Sequence, residues 1–265
     1  MRIALGQLLS TYDPRENLRA VADLVRRAGE DGADLLVLPE ATMVAFGRGL
    51  TGIAEPLDGP WATAVSELAC EHSVAVVAGM FTPGEGERVR NTALVALPDG
   101  SVRGYAKIHL YDAFGFTESD TVDPGGDPVT FSVGGTTVGV ATCYDIRFPR
   151  LFTRLAHDGA TVTVLGASWG DGPGKVEQWE LLARARALDT TSYVVAVGQA
   201  DPASVGEPNP NGDPRGVGHS LVAAPDGSVV AALGAAPDYA VVDLDLDLVE
   251  RTRTAIPVLR NAREL

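Results

Sequence analysis

Positive charge is scarce in this chain of 265 residues, and it is unevenly supplied: nineteen arginines but only two lysines, Lys107 and Lys175, against 35 acidic residues and a formal net charge of −14. Phosphate backbones and anionic lipid headgroups both call for basic patches, so neither a nucleic-acid partner nor a membrane surface is expected. Cysteine is scarcer still. Cys70 and Cys143 stand alone, too few for a disulfide framework, and a reducing, cytoplasmic setting is the simpler expectation. No apolar run reaches the roughly 18 residues of a membrane helix, and "MRIALGQL" enters an apolar strand at once, without the pattern of a secretory leader. The four histidines, His72, His109, His157 and His219, lack metal-ligand spacing, so no metal and no cofactor are expected.

What remains is an ordinary globular composition, 45% hydrophobic, in a length that suits one α/β domain over 1–265. Strand-like and helix-like segments alternate. "RIALGQL" is followed by a helix over "YDPRENLRAVADLVRRAGEDG", with Asp13 as N-cap, Pro14 in the first turn and Glu16 as capping-box partner. The strand "DLLVLPE", the helix "DGPWATAVSELACEHS" and the strand "VAVVAGMF" come next. Two hairpins turn at Asp99-Gly100 and Gly134-Gly135, and "GHSLVAAPDGSVVAAL" reads as a third. After Cys143 come a helix, the strand "TVTVLGAS", the helix "KVEQWELLARARALDT" and the strand "YVVAVGQ". The Pro/Gly/Asn segment 201–217 reads as a long surface loop, and "DYAVVDLDL" as a last strand. "NTALVALPDGSV" and "GHSLVAAPDGSV" echo one another, which is either common hairpin chemistry or a sign of two similar halves. Parallel strands mixed with hairpins, and helices outside them, predict two face-to-face sheets each covered by helices.

Three residues share a position type. Glu40, Lys107 and Cys143 each end a strand, where α/β folds gather their chemistry. Singly each is weak: a Glu after Pro is usually a solvated turn residue, and a free Cys behaves as a small buried hydrophobe. The lysine is more telling, since a chain that uses Arg nearly everywhere keeps an ammonium here, a compact three-donor charge that a guanidinium does not replace. Lys175, at a helix start in a Gly-rich loop, reads as a surface cation. Together the three types suit thiol chemistry on a carbonyl. A carboxylate takes the thiol proton and later returns it to the leaving amine, while an ammonium and the Tyr144 N–H stabilise the oxyanion. Asp145 and Arg147 read as an ion pair fixing the corner. Trp169 reads equally as pocket wall or core.

"LLVLPE", "GYAKIHLYD", "FTESD" and "TCYDIRFP", in this order and spacing, resemble the nitrilase superfamily of carbon–nitrogen hydrolases, and the likeness extends over essentially the whole chain. It implies a nitrilase-like α–β–β–α four-layer sandwich of two pseudo-symmetric halves, assembled as a homodimer or larger. It places the family's Glu–Lys–Cys triad on Glu40, Lys107 and Cys143, with the supporting glutamate on Glu118. Among branches, "CYDIRFP" and "HLYD…FTESD" look most like the amidases acting on deaminated glutathione and on ω-amides of 2-oxo acids. That implies a small amide, carrying a carboxylate, as the partner molecule. Departures cluster at the expected pocket rim: Gly166-Ala-Ser-Trp169 where many relatives have Pro-Ala-Ala-Trp, Gln178 where many have His, and Gly198 where Asn is common. Ser168 and Trp169 are accordingly taken as substrate-binding. Alternatives on the same residues are a nitrilase or an N-carbamoyl hydrolase. A Cys–His hydrolase would draw on His109. A thiol peroxidase would pair Cys143 with Cys70, although Val140 stands where a Thr would be expected. A catalytically dead binding subunit is the last, disfavoured because all three residue types are present.

Overall fold

The computed structural model describes residues 1–263 apart from 48, 114, 208, 210 and 211; part of the 201–217 segment thus lies outside the described residues. The first half of the chain runs β1 (Arg2–Gln7), α1 (Pro14–Glu30), β2 (Leu35–Val37), α2 (Pro60–His72) and β3 (Ala75–Pro83), then the antiparallel strands β4 (Val89–Ala96) and β5 (Val102–Ala106). A small hairpin, β6 (Asp112–Ala113) with β7 (Phe116–Thr117), leads through a 3₁₀ turn, Glu118–Asp120, to β8 (Val129–Val133). The second half repeats the plan: β9 (Thr136–Thr142), α3 (Pro149–His157), β10 (Val162–Ala167), α4 (Lys175–Thr190), β11 (Tyr193–Gly198), then β12 (Leu221–Ala223) and β13 (Val229–Ala232). It closes with β14 (Asp238–Asp243), α5 (Asp247–Ala255) and α6 (Val258–Asn261). The two last helices lie beyond the elements read from the sequence.

The strands form two six-stranded sheets, ordered β14-β1-β2-β3-β4-β5 and β13-β12-β11-β10-β9-β8. In each, three parallel strands are flanked by antiparallel ones. β14 lies antiparallel to β1 as β8 lies antiparallel to β9. The halves therefore correspond, except that the strand opening the second half has its counterpart at the end of the chain. The echoed hairpins are equivalent as well: Asp99 Oδ1 accepts the Ser101 N–H at 2.9 Å, and Asp226 Oδ1 the Ser228 N–H at 3.0 Å.

Alternation along each strand builds the layers. Ile3, Leu5, Leu35 and Val37 face the other sheet and pack with Phe131, Val138, Val140 and Val164. Ala4, Leu36 and Val76 face outward, under Val21 and Val25 of α1 and Trp61 and Val65 of α2. With both faces covered, the parallel strands have to be apolar throughout, which is why "LLV" shows no alternation in sequence. α3 and α4 cover the second sheet with Phe152, Leu155, Trp179 and Ala183. This is the four-layer α–β–β–α sandwich.

Helix α1 starts as expected on Asp13, whose side chain accepts the Arg15 N–H at 2.9 Å, with Pro14 in the first turn. The capping box does not form: Glu16 accepts the Thr11 hydroxyl instead, at 3.0 Å, a hydroxyl that precedes the cap and lies within reach. The 201–217 segment is not wholly a surface loop. Arg215 and Val217 are buried, and Arg215 donates to the Ser10 carbonyl at 3.0 Å.

Candidate active site

Three strand ends meet at the site. Glu40 follows β2, and its backbone threads a slot made by two glycines: a Cβ on Gly79 of β3 would strike the Glu40–Ala41 backbone, and one on Gly166 of β10 would lie 2.8 Å from the Glu40 nitrogen. Lys107 follows β5 and is anchored by its N–H to the Asn91 carbonyl of β4 at 2.8 Å. Cys143 follows β9 and opens a 3₁₀ turn, Cys143–Arg147. Its φ of 47° puts a non-glycine residue in the left-handed region, a strained conformation of the kind that surrounding structure must hold in place.

The hold is visible. Asp145, fully buried, accepts the Thr142 N–H at 2.9 Å, the Tyr105 hydroxyl at 2.7 Å and the His109 N–H at 3.1 Å, and it meets His109 Nδ1 at 2.7 Å. Burial foremost, then the Asp145 charge, drives the Tyr105 hydroxyl well above its ordinary pKa, so it stays a donor. Asp145 thus fixes the corner, but not by the expected ion pair with Arg147. The Arg147 guanidinium turns away to Gln178 Oε1, at 2.7 Å, and lies 5.3 Å from the Trp169 ring centre. His109 stacks on Phe148 with 3.7 Å between ring centres. It does not line the cavity into which Cys143 opens.

That cavity measures about 360 Å³. At its floor Lys107 Nζ donates to Glu40 Oε1 at 2.9 Å and to Glu118 Oε2 at 2.8 Å. Asn91 Nδ2 donates to Glu40 Oε1 at 2.8 Å and to Glu118 Oε1 at 2.9 Å. The Ser168 N–H reaches Glu40 Oε2 at 2.8 Å, and the Tyr111 N–H reaches Glu118 Oε2 at 2.7 Å. Burial opposes the Lys107 charge, but Glu40 and Glu118 override it and hold the ammonium well above its ordinary pKa. Burial likewise opposes ionisation of Glu118, and Lys107 and Asn91 prevail, leaving that carboxyl below its usual value. The Cys143 thiol is pushed well above its ordinary value by burial and then by Glu40, against the pull of Lys107. Two carboxylates around one ammonium leave a net negative cluster, so the proton stays on sulfur in the resting site.

The structure therefore brings Glu40, Lys107, Glu118 and Cys143 together. Tyr144 sits at the second position of the 3₁₀ turn, where its N–H has no acceptor within the turn. Its ring packs edge-on to Tyr111 and Phe148. Trp169 forms a cavity wall and donates its indole N–H to the Lys175 carbonyl at 3.0 Å. Ser168 also lines the cavity, with its hydroxyl donated to the Pro214 carbonyl and its N–H to Glu40. Lys175 is not the bystander its sequence position suggested. It lines the cavity, 5.9 Å from the Trp169 ring centre, and burial and the neighbouring Arg147 charge lower its pKa. Asp213 and Pro214 bring the 201–217 segment to the cavity mouth. Sequence reasoning missed Asn91, although a buried Asn inside the apolar strand "NTALVAL" goes against strand preference and was the available signal. Among the described residues, no cluster of three His, Cys, Asp or Glu side chains is arranged to hold a metal, and no helix is long and apolar enough to cross a membrane.

Comparison with known proteins agrees with this geometry. The family model described as carbon-nitrogen hydrolase matches residues 2–254. A hydrolase of Mycobacterium tuberculosis, Rv0480c, is 53% identical over 98% of this chain and 95% of its own length. The deaminated glutathione amidase of Escherichia coli O157:H7 is 35% identical over 99% of this chain and 97% of its own. Among solved structures, the amidase of Nesterenkonia sp. AN1, a nitrilase-superfamily protein seen with acrylamide added at its active-site cysteine, superposes with a TM-score of 0.80 at 27% identity, over 97% of this chain and 98% of that one. The chain belongs to the carbon–nitrogen hydrolase family and is an enzyme of the amidase kind.

Proposed function

We propose that the whole chain, 1–265, works as one amidase domain that converts a small carboxylate-bearing amide to acid and ammonia through a thioester on Cys143. The observation that carries this reading is the buried Glu40–Lys107–Glu118 cluster at the floor of the cavity into which Cys143 opens. Cys143 Sγ attacks the amide carbon as its proton passes to Glu40, through the lone-pair capacity left on Oε2. The oxyanion takes its hydrogen bonds from the third N–H of Lys107 and from the Tyr144 N–H. Glu40 then gives the proton to the departing nitrogen, the C–N bond breaks, and ammonia leaves. Water attacks the thioester, Glu40 accepts its proton, and the acid departs as the thiol regains a proton. Glu118, with both oxygens engaged by Asn91, Lys107 and Tyr111, holds the ammonium and takes no part in transfer.

The substrate carboxylate is met by Arg147 and Lys175 beside Trp169, which among the described residues line the cavity together with Lys107. The molecule acts in a reducing, cytoplasmic setting, in keeping with its two unpaired thiols. It assembles as a homodimer or larger; the exposed Leu181 and Leu188 of α4 offer an apolar face for that contact.

The test is an ammonia-release screen over ω-amides, 2-oxo-acid amides, N-carbamoyl compounds and nitriles, followed by variants on the best substrate. Cys143→Ala is expected to abolish release, and mass spectrometry of wild type with substrate to show an acyl adduct on Cys143. Glu40→Gln is expected to lose several orders of magnitude in turnover and His109→Ala little. Activity retained by Cys143→Ala, or the reverse ranking of the last two variants, refutes the reading.

A further inference from the structure

Asn91 touches three members of the cluster at once. Its backbone carbonyl accepts the Lys107 backbone N–H at 2.8 Å, and its side-chain amide nitrogen donates to Glu40 at 2.8 Å and to Glu118 at 2.9 Å. We infer that Asn91 is a positioning residue of the reaction, a two-proton clamp that holds the carboxyl groups of Glu40 and Glu118 in place on either side of Lys107. The inference rests on the amidase reading above.

Charge and hydrogen-bond capacity argue for it. Two carboxylates have four oxygens to satisfy at a nearly buried site, and Lys107 must keep one of its three protons for the substrate. Among neutral side chains, only a primary amide offers two protons from one atom to two different carboxylates. The Ser168 and Tyr111 N–H groups supply one bond each, to one glutamate each. The amide has accepted an unfavourable arrangement to do so. Asn91 is 1% exposed, and its Oδ1 has no hydrogen-bond partner among the described residues. A buried amide oxygen left bare is unusual, because turning the amide over would normally find it a donor. Here a turned amide would point its oxygen at two carboxylates. Glu40 from the end of β2 and Glu118 from the 3₁₀ turn thus fix the orientation of the amide; the Lys107 ammonium bridges the same two carboxylates, and Glu40 and Lys107 also act on the Cys143 thiol.

A residue that only supported the strand would be replaceable by an apolar side chain of similar size without change in protonation behaviour. A clamp would not be. Without the amide, Glu118 loses a donor that favours its charged form, so the acidic limb of kcat/KM should move to higher pH. Asn91→Asp adds a sharper signature. Protonated, the introduced carboxyl keeps one donor; ionised, it sets a third negative charge against two others. The activity of this variant relative to wild type should therefore fall as pH rises.

The experiment measures kcat/KM against pH from about 5 to 9, with melting temperatures, for wild type, Asn91→Leu and Asn91→Asp; the range spans ordinary carboxylate and imidazole titration. Asn91→Leu is expected to lose about ten- to hundredfold, as supporting partners of an active site typically do, with its acidic limb displaced upward. For Asn91→Asp the ratio to wild type is expected to decline steadily with pH. A constant ratio for Asn91→Asp, or a wild-type profile for Asn91→Leu, overturns the inference; if Asn91→Leu does not fold, the Asn91→Asp ratio decides alone. Failure here would leave the Cys143 adduct intact, whereas failure of the amidase reading would remove the adduct itself.

Discussion

Lys107 carries its charge at a nearly buried position, with a side chain 2% exposed between two glutamates. Taking an ammonium out of water is costly, and only well-placed partners recover it. The carboxylates on either side do so, and in doing so they fix the direction of the third N–H toward the cavity. This geometry makes lysine specific at the position. Arginine would keep the charge and pair both glutamates, but its planar, longer head fills the space in which a carbonyl oxygen must sit. Lys107→Arg is therefore expected to fold with a melting temperature near that of wild type and to lose about 10²–10³ in kcat, the loss typical of a missing oxyanion donor. Turnover and thermal melts of the purified variant check this. Near-normal turnover would mean that Lys107 only ties the Glu118 turn in place.

At the level of elements, the site depends on how closely two sheets pass around the β2 exit. Gly79 and Gly166 leave no room for a Cβ because the Pro39–Glu40 backbone runs between β3 and β10. Gly166 also begins the segment that departs from the common family pattern, so its backbone role matters more than its missing side chain. Gly166→Ala is expected to destabilise by about 1–3 kcal/mol through overpacking, lowering the melting temperature by about 2–4 °C per kcal/mol. It should lower kcat as well, because the methyl would push the Glu40 nitrogen outward. Gly126, whose added Cβ would meet nothing within 4 Å, is the control. Gly126→Ala should change neither quantity, and a Gly166→Ala variant with unchanged kcat would show that Glu40 tolerates the shift.

At the scale of the whole molecule, the formal charge of −14 and the cationic outer wall of the cavity act against each other. Distant acidic groups repel an anionic substrate at low salt, and their effect fades once the Debye length shrinks to about 8–10 Å near 0.10–0.15 M. Arg147 and Lys175 act at contact and are screened far less. For a carboxylate-bearing amide, KM is expected to fall as ionic strength rises toward that range, while KM for a neutral amide stays level. Lys175→Ala should raise KM for the acidic amide at every salt concentration and leave the neutral one unchanged. Steady-state kinetics with the two substrates over a salt series decides it. Equal KM values for acidic and neutral amides in wild type would remove the carboxylate from the proposed substrate.

Short-range physics made much of this molecule readable before any coordinates. Apolar runs gave the buried strands, Asp13-Pro14 the start of α1, and Asp-Gly pairs the two equivalent hairpins, because periodicity, capping and turn chemistry act within a few residues. Glu40, Lys107 and Cys143 were marked by their place at strand ends, and Cys143 by its corner. The pairing of β14 with β1, from Asp243 across to Arg2, decided which halves correspond. The passage of Asp213–Val217 into the cavity mouth and the core, the turning of Arg147 to Gln178 and the place of Lys175 beside Trp169 were likewise invisible along the chain. So was Asn91, whose meaning lies in carboxylates 51 and 27 positions away. Each depends on which side chains two stacked sheets bring to one cavity. That is settled by packing and by the need to satisfy buried charge, neither of which is a local property of sequence.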